Sequence, residues 1–250
     1  MSRLMVISLV CILTSSNVMA NHFNTARIEK IFGIFLTEST QLEDVHDHSN
    51  SFGFWPKTLE EITEYLDINK NRLLPVMKIN HFLLNEDTGI YHDDVSGIIA
   101  AIEKSSLHGR NILFFMDEPM WNVRRECTLR NKSAACNEVA NRYAQTLNTL
   151  RRAGQALRQR FPGSGIMHIE AWTELTLQKR EFPEERVVVL DDAEYVGSDC
   201  YGAIHRCGSP EYGYRHQVEY GEWVWNAMLT LESNNPIGRK LMLVPGTFLG

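Results

Sequence analysis

Five carboxylates stand where short apolar runs stop: Glu38 after IFGIFLT, Asp117 and Glu118 after NILFFM, Glu170 within GIMHIEAW and Asp199 within EYVGSDCY. Acids converging on one place raise one another's proton affinity. One carboxyl can then keep its proton while another stays ionised, the division of labour that acid/base hydrolysis needs. Trp55, Trp121, Trp172 and Tyr201 fall at or just beyond the same run ends. Flat apolar rings beside carboxylates suit the faces and hydroxyls of sugars, so the expected ligand is a carbohydrate or another small polar molecule. Lys78 and Asn80 in LLPVMKINHF join Glu38, Asp117 and these rings as candidate binding residues. Each feature also has a plainer reading. The Asp117-Glu118 turn could cap a helix, Glu170 could ion-pair with Lys78, the tryptophans could pack under loops, and Asp199 could position a loop at Cys200.

These residues need a scaffold that brings several strand ends together. Seven strand candidates run over 31–38, 49–55, 73–82, 111–118, 165–172, 194–201 and 240–248. Helix-like segments at 58–67, 92–107, 134–160 and 217–233 lie between them. Thr58 followed by Glu61, and Asp93 or Asp94 before an apolar run, are helix-start signals. In the long third segment, Val139, Tyr143, Leu147, Leu150 and Leu157 recur at helical spacing, which predicts a barrel-covering helix with a solvated basic face. Alternating strands and helices predict an α/β fold with a parallel sheet. The number of units predicts a (β/α)8, TIM-barrel-like domain. Gly250 closely follows the seventh candidate, so the eighth unit is absent, truncated or concealed. No G-x-G-x-x-G or G-x-x-x-x-G-K-[ST] occurs, which weighs against nucleotide binding. A barrel of this kind gathers its functional groups at the C-terminal ends of the strands, where the five acids fall.

The fourth-strand DEP with an aromatic residue just after it resembles the Asn-Glu-Pro of clan A glycoside hydrolases. The sixth-strand YVGSDCYG and the second-strand DHSNSFGFW resemble segments of the same barrels. The resemblance implies that Glu118 is a general acid/base. Two departures stand out. Asp117 replaces the family's Asn, and the family's seventh-strand nucleophilic Glu has no counterpart in LMLVPGTFLG. Retaining hydrolysis needs two carboxyls roughly 5–5.5 Å apart. The partner of Glu118 is therefore expected to be Glu170, Asp199 or Glu38. The competing class is a carbohydrate-binding barrel without catalysis.

Other chemistries find less support. His46 and His48 have the H-x-H spacing of two-metal amidohydrolase barrels, which makes a metal-dependent hydrolase a third reading. They precede the second strand rather than end the first, and His81 and His168 supply no matching order, so no metal and no cofactor are expected. No G-x-S-x-G is present, and GSGIMH around Ser164 does not stand in for it. Asn131-Lys132-Ser133 is a glycosylation sequon that matters only in a host that glycosylates.

At the N-terminus, Arg3, the apolar LMVISLVCIL and the following TSSNVMA have the pattern of a signal peptide over residues 1–20, cleaved after Ala20. No later segment approaches the ~20 apolar residues of a membrane span. The expected product is one secreted or periplasmic domain, 21–250, of unspecified oligomeric state. Its 44% hydrophobic and 22% charged residues suit one large core. Losing Arg3 from 25 basic residues against 31 acidic ones takes the net charge from −6 to −7. That balance argues against nucleic acid or an anionic membrane as partner. Cys11 is lost with the peptide, leaving Cys127, Cys136, Cys200 and Cys207, an even number for an oxidising compartment. Local bonds Cys127–Cys136 and Cys200–Cys207 are expected, each pinning the loop after a site-bearing strand, although the spacing leaves other pairings open. If so, reduction should lower activity more than melting temperature.

Overall fold

A computed structural model of the chain describes residues 8–11, 31–36, 38–70, 72–85, 87–106, 111–128, 139–181, 189–200, 220–233 and 239–245. The strands are β1 (Ser8–Cys11), β2 (Phe32–Leu36), β3 (Ser51–Phe54), β4 (Leu74–Lys78), the short β5 (Leu84–Asn85) and β6 (Ile90–Tyr91), β7 (Leu113–Asp117), β8 (Gly165–Ala171), β9 (Tyr195–Cys200) and β10 (Lys240–Pro245). The helices are α1 (Leu42–Val45), α2 (Leu59–Asn69), α3 (Asn80–Leu83), α4 (Ser96–Lys104), α5 (Pro119–Thr128), α6 (Val139–Arg160), α7 (Trp172–Glu181) and α8 (Tyr220–Ser233).

Seven parallel strands in the order β2-β3-β4-β7-β8-β9-β10 curl into an α/β barrel wall, and they match the seven strand candidates. The eighth position is not a β/α unit. It is held by β1, antiparallel to both β2 and β10, so the TIM-barrel-like fold is incomplete. β1 lies inside the stretch expected to be a signal peptide. The hairpin β5-β6 stands apart from the wall.

The sequence reading ran the third candidate on to residue 82, but the strand stops at Lys78 and Asn80 begins a helical turn. It also overlooked α5 and α7, which follow β7 and β8 almost at once. Helix α2 begins as expected, with Thr58 Oγ1 accepting from the Glu61 N–H at 3.3 Å. At α4 the Asp94 carboxylate accepts from the Ser96 N–H at 2.9 Å. In each case a side-chain oxygen satisfies a first-turn donor that the helix leaves without a partner.

Alternation along each strand sorts side chains into two cores. Facing inward are Val76, Leu113, Phe115, Met167, Ile169, Tyr195 and Met242, with Phe35 packed against them. Facing the helices are Phe52, Phe54, Met77, Phe114, Met116, Ile166 and Val196. Two glycines make the inner core possible. A Cβ on Gly53 would come within 2.4 Å of the Phe35 ring, and one on Gly197 within 2.2 Å of the Met242 carbonyl oxygen. Behind the wall, Glu174 on α7 accepts from Arg124 Nε of α5 at 2.5 Å, from Gln178 at 2.9 Å and from the Tyr143 hydroxyl of α6. This buried network joins the three helices that flank β7 and β8.

Candidate active site at the barrel mouth

Phase along the strands decides which acids meet. Lys78 shares its face of β4 with Val76, Asp117 shares its face of β7 with Leu113 and Phe115, and Asp199 follows Tyr195 and Gly197 on β9. All three turn into the barrel at its C-terminal end. Lys78 Nζ lies 2.5 Å from Asp117 Oδ2, and both side chains are buried. The plainer reading of Glu170 as the partner of Lys78 is thereby corrected, because Glu170 has the phase of Ile166 and faces the helices instead. Nζ also sits 3.0 Å from the centre of the Trp55 ring. Trp55 is 56% exposed at the rim, a cation–π cap whose outer face is open to solvent.

Glu118 occupies the turn between β7 and α5 with φ of 48°, a left-handed conformation that costs energy in a residue bearing a Cβ. The surroundings over-determine it. Its N–H donates to the Ile169 carbonyl at 2.7 Å, and its carbonyl accepts from the Asn122 N–H at 2.9 Å. The peptide unit before it is held too. Asn80 Oδ1 accepts from the Asp117 N–H at 3.1 Å, and the Asp117 carbonyl accepts from Asn80 Nδ2 at 2.8 Å and Asn122 Nδ2 at 3.1 Å. The Tyr91 hydroxyl accepts from the same two amides at 3.3 and 3.4 Å. Asn80 was expected to bind substrate. It is 1% exposed and both ends of its amide serve the turn, so its place in the structure is to fix the backbone.

Held this way, the half-buried Glu118 carboxyl is pushed up to about 8. Burial is the largest cause, the charges of Asp117 and Glu170 add to it, and hydrogen bonding with Asp199 and the charge of Lys78 work against it. Such a group still carries a proton at neutral pH, beside a second carboxyl that can take up its hydrogen bond.

Glu170 is fully buried and plays a different part. Its Oε2 accepts from the Met120 N–H at 2.9 Å and from His168 Nε2 at 3.2 Å. Its Oε1 accepts from the N–H groups of Trp121 and Ala171, both at 3.1 Å. Two of these donors open α5, so Glu170 caps the helix that carries Glu118. Burial and then the charge of Glu174 push this carboxyl upward, opposed by the three backbone donors. His168 Nδ1 accepts from the Leu190 N–H at 2.9 Å, which leaves the proton on Nε2, and burial holds the ring neutral with a pKa of about 3. All four partners of Glu170 are therefore donors.

The remaining candidates scatter. Glu38 is exposed at the rim, where its N–H donates to Gln41 Oε1 at 3.1 Å. Trp121 is partly buried on α5. Trp172, expected as a sugar platform, is 7% exposed and packs in the core between wall and helices, because it follows β8 on the outward phase. Tyr201, Cys136 and Cys207 lie outside the described residues, as do the side chains of Cys127 and Cys200, and with them both disulfide expectations. His46 makes local contacts, its Nδ1 donating to the Glu43 carbonyl at 2.8 Å and its Nε2 lying 3.0 Å from Asp47 Oδ1. Among the described residues no cluster of three or more His, Cys, Asp or Glu is arranged to hold a metal.

Sequence reasoning passed over Asn122 and Tyr91, and weighed His81 only as a metal ligand. Asn122 lies one helical turn beyond Glu118, a spacing that could have flagged it. His81, neutral with a pKa lowered by burial to about 4, contacts the Pro56 carbonyl at 2.6 Å and steadies the turn that carries Trp55. Tyr91 gave no sequence signal, since it arrives from the separate hairpin.

No protein-family model matches this sequence, and no curated protein matches it. Among solved structures, orotidine 5'-monophosphate decarboxylase of Plasmodium berghei aligns over 77% of this chain and 70% of its own, at 8% identity and a TM-score of 0.29. A likeness that slight brings no chemistry to the site.

Proposed function

We propose that this chain is an exported carbohydrate-active hydrolase in which Glu118 donates the proton to the departing glycosidic oxygen and Asp199 is the carboxylate paired with it. The observation that carries the reading is Glu118 itself: a carboxyl at the turn that ends β7, proton-bearing to about pH 8, beside Asp117, which Lys78 links to the exposed Trp55. Lys78 and Asp117 supply further polar contacts for hydroxyls. A general acid of this kind is worth roughly 10²–10⁴-fold in rate. Glu170, bound by four donors, supports the acid rather than attacking the sugar.

The test is a panel of aryl glycosides and polysaccharides given to the chain from Asn21 onward. Release of aryl alcohol or reducing ends, lost by at least 100-fold in Glu118→Gln, is the expected result. Binding without turnover would select the second reading, a non-catalytic carbohydrate-binding barrel. That reading draws on Trp55 and Lys78, an exposed ring with a cation on it, which present a binding surface that needs no acid.

A further inference from the structure

We propose that Lys78 is a nucleophile: its Nζ forms an imine with small aldehydes and ketones at the barrel mouth, and Asp117 relays the protons. The inference goes beyond the hydrolase reading and does not depend on it.

Lys78 holds its ammonium group in poor surroundings for a charge. The side chain is 7% exposed and turns into the barrel at the C-terminal end of β4. Among the described residues it donates one hydrogen bond, to Asp117 Oδ2 at 2.5 Å, and otherwise faces the Trp55 ring, 3.0 Å from its centre. An ammonium can donate three. The carboxylate is no better served, since Asp117 Oδ1 is buried and takes no hydrogen bond among the described residues. An ion pair kept only for structure repays its desolvation when its remaining donors and acceptors are filled. This pair leaves both halves incomplete, at the end of the barrel where functional groups gather. Asn80 and Asn122 hold the Asp117 backbone, so the carboxylate is fixed against the amine.

A buried lysine amine beside a proton acceptor is suited to attack a carbonyl carbon. Addition also supplies what the pair lacks. The first adduct, a carbinolamine, places a hydroxyl on the carbon bonded to Nζ, and that O–H is a donor for Asp117 Oδ1. The iminium that follows keeps the charge of the ammonium in the same place, so the Trp55 ring and Asp117 stabilise it as they stabilise the free lysine. The rim-side neighbour of Nζ is this ring, 56% exposed, and not the closed core.

The chemistry balances. Asp117 Oδ2 takes a proton from Nζ, the freed electron pair bonds to the carbonyl carbon, and the electrons of the C=O bond move to its oxygen. That oxygen receives two protons in turn, both first carried by Nζ and both relayed by Asp117. It leaves as water while the nitrogen pair closes the C=N bond. Ammonium and carbonyl compound become iminium and water, Asp117 ends as the carboxylate it began as, and water reverses the step.

The experiment incubates the full-length chain with glycolaldehyde, dihydroxyacetone or pyruvate in turn. Sodium borohydride, added after short intervals, reduces any iminium to a stable secondary amine, which peptide mass mapping locates. By access alone Lys78 would be labelled last, after the exposed Lys57, Lys70 and Lys104. The expected order is the reverse, with Lys78 labelled first by at least one of the three carbonyls. Lys78→Arg keeps a cation opposite Asp117 and should lose that early adduct while the exposed lysines label as before. Asp117→Asn, on protein whose circular dichroism matches the parent, should slow labelling of Lys78 by roughly 100-fold. The mapping on the parent chain needs no variant. Labelling of Lys78 no earlier than the exposed lysines with all three carbonyls, or undiminished labelling in Asp117→Asn, overturns the inference and leaves the hydrolase reading intact.

Discussion

At the scale of single residues, the protonated state of Glu118 has a thermodynamic signature apart from catalysis. In the unfolded chain this carboxyl titrates near 4.3, and in the folded chain near 8. Below the first value both states hold the proton and the group adds no pH dependence. Between the two only the folded chain holds it, so stability falls as pH rises and levels off above 8. Glu118→Gln removes that slope. Urea titrations should show the variant gaining about 1–3 kcal/mol on the parent between pH 4 and pH 9, a figure reduced for the partial exposure of the site. A constant difference between parent and variant across that range would place the Glu118 pKa in the ordinary region. The Lys78–Asp117 pair was half-legible beforehand: both residues were candidates on strand runs, and only strand phase distinguishes their inward face from the outward face of Glu170.

At the scale of elements, α5 is the part that presents the acid. It opens with Pro119, which has no N–H to satisfy, and the next two donors go to Glu170 on β8. Replacing Glu170 with Gln puts an amide NH₂ among groups that are all donors. The expected cost is about 2–4 kcal/mol in chemical denaturation, with amide exchange at Met120 and Trp121 speeding up by more than tenfold. Unchanged protection at those two amides would remove Glu170 from its capping role. The sequence hid this arrangement because Glu118 alone separates β7 from α5, and the helix's cap comes from fifty residues away rather than from a neighbouring Ser, Thr or Asp.

At the scale of the whole molecule, seven parallel strands come from residues 32–245 and the eighth place is filled by β1. β1 meets β2 through three residue pairs and β10 through two. If the signal peptide is cleaved after Ala20, the product lacks β1 and exposes two strand edges, losing a few ladder hydrogen bonds of about 1 kcal/mol each. The chain from Asn21 should therefore unfold cooperatively, within about 15 °C of the full-length chain in a thermal melt. A non-cooperative transition would make β1 an obligatory stave and contradict the cleavage. Among the described residues, no helix is long and apolar enough to cross a membrane.

The sequence by itself determined the alternation of strands and helices, the seven inner strands and the placing of carboxylates at their ends, because those signals are local: apolar runs, caps and breaks are written within ten residues of one another. Its closest approach to the site was Glu118, named from a three-residue motif. Only the tertiary structure decided the rest. It turned Lys78, Asp117 and Asp199 inward and Glu170 outward, paired Lys78 with Asp117 across thirty-nine positions, and brought Asn80, Tyr91 and Asn122 together around one strained peptide. Those outcomes depend on register between strands and on the packing of helices against the wall. Each fixes a side chain's surroundings through residues distant in sequence, and so no local pattern in the chain records them.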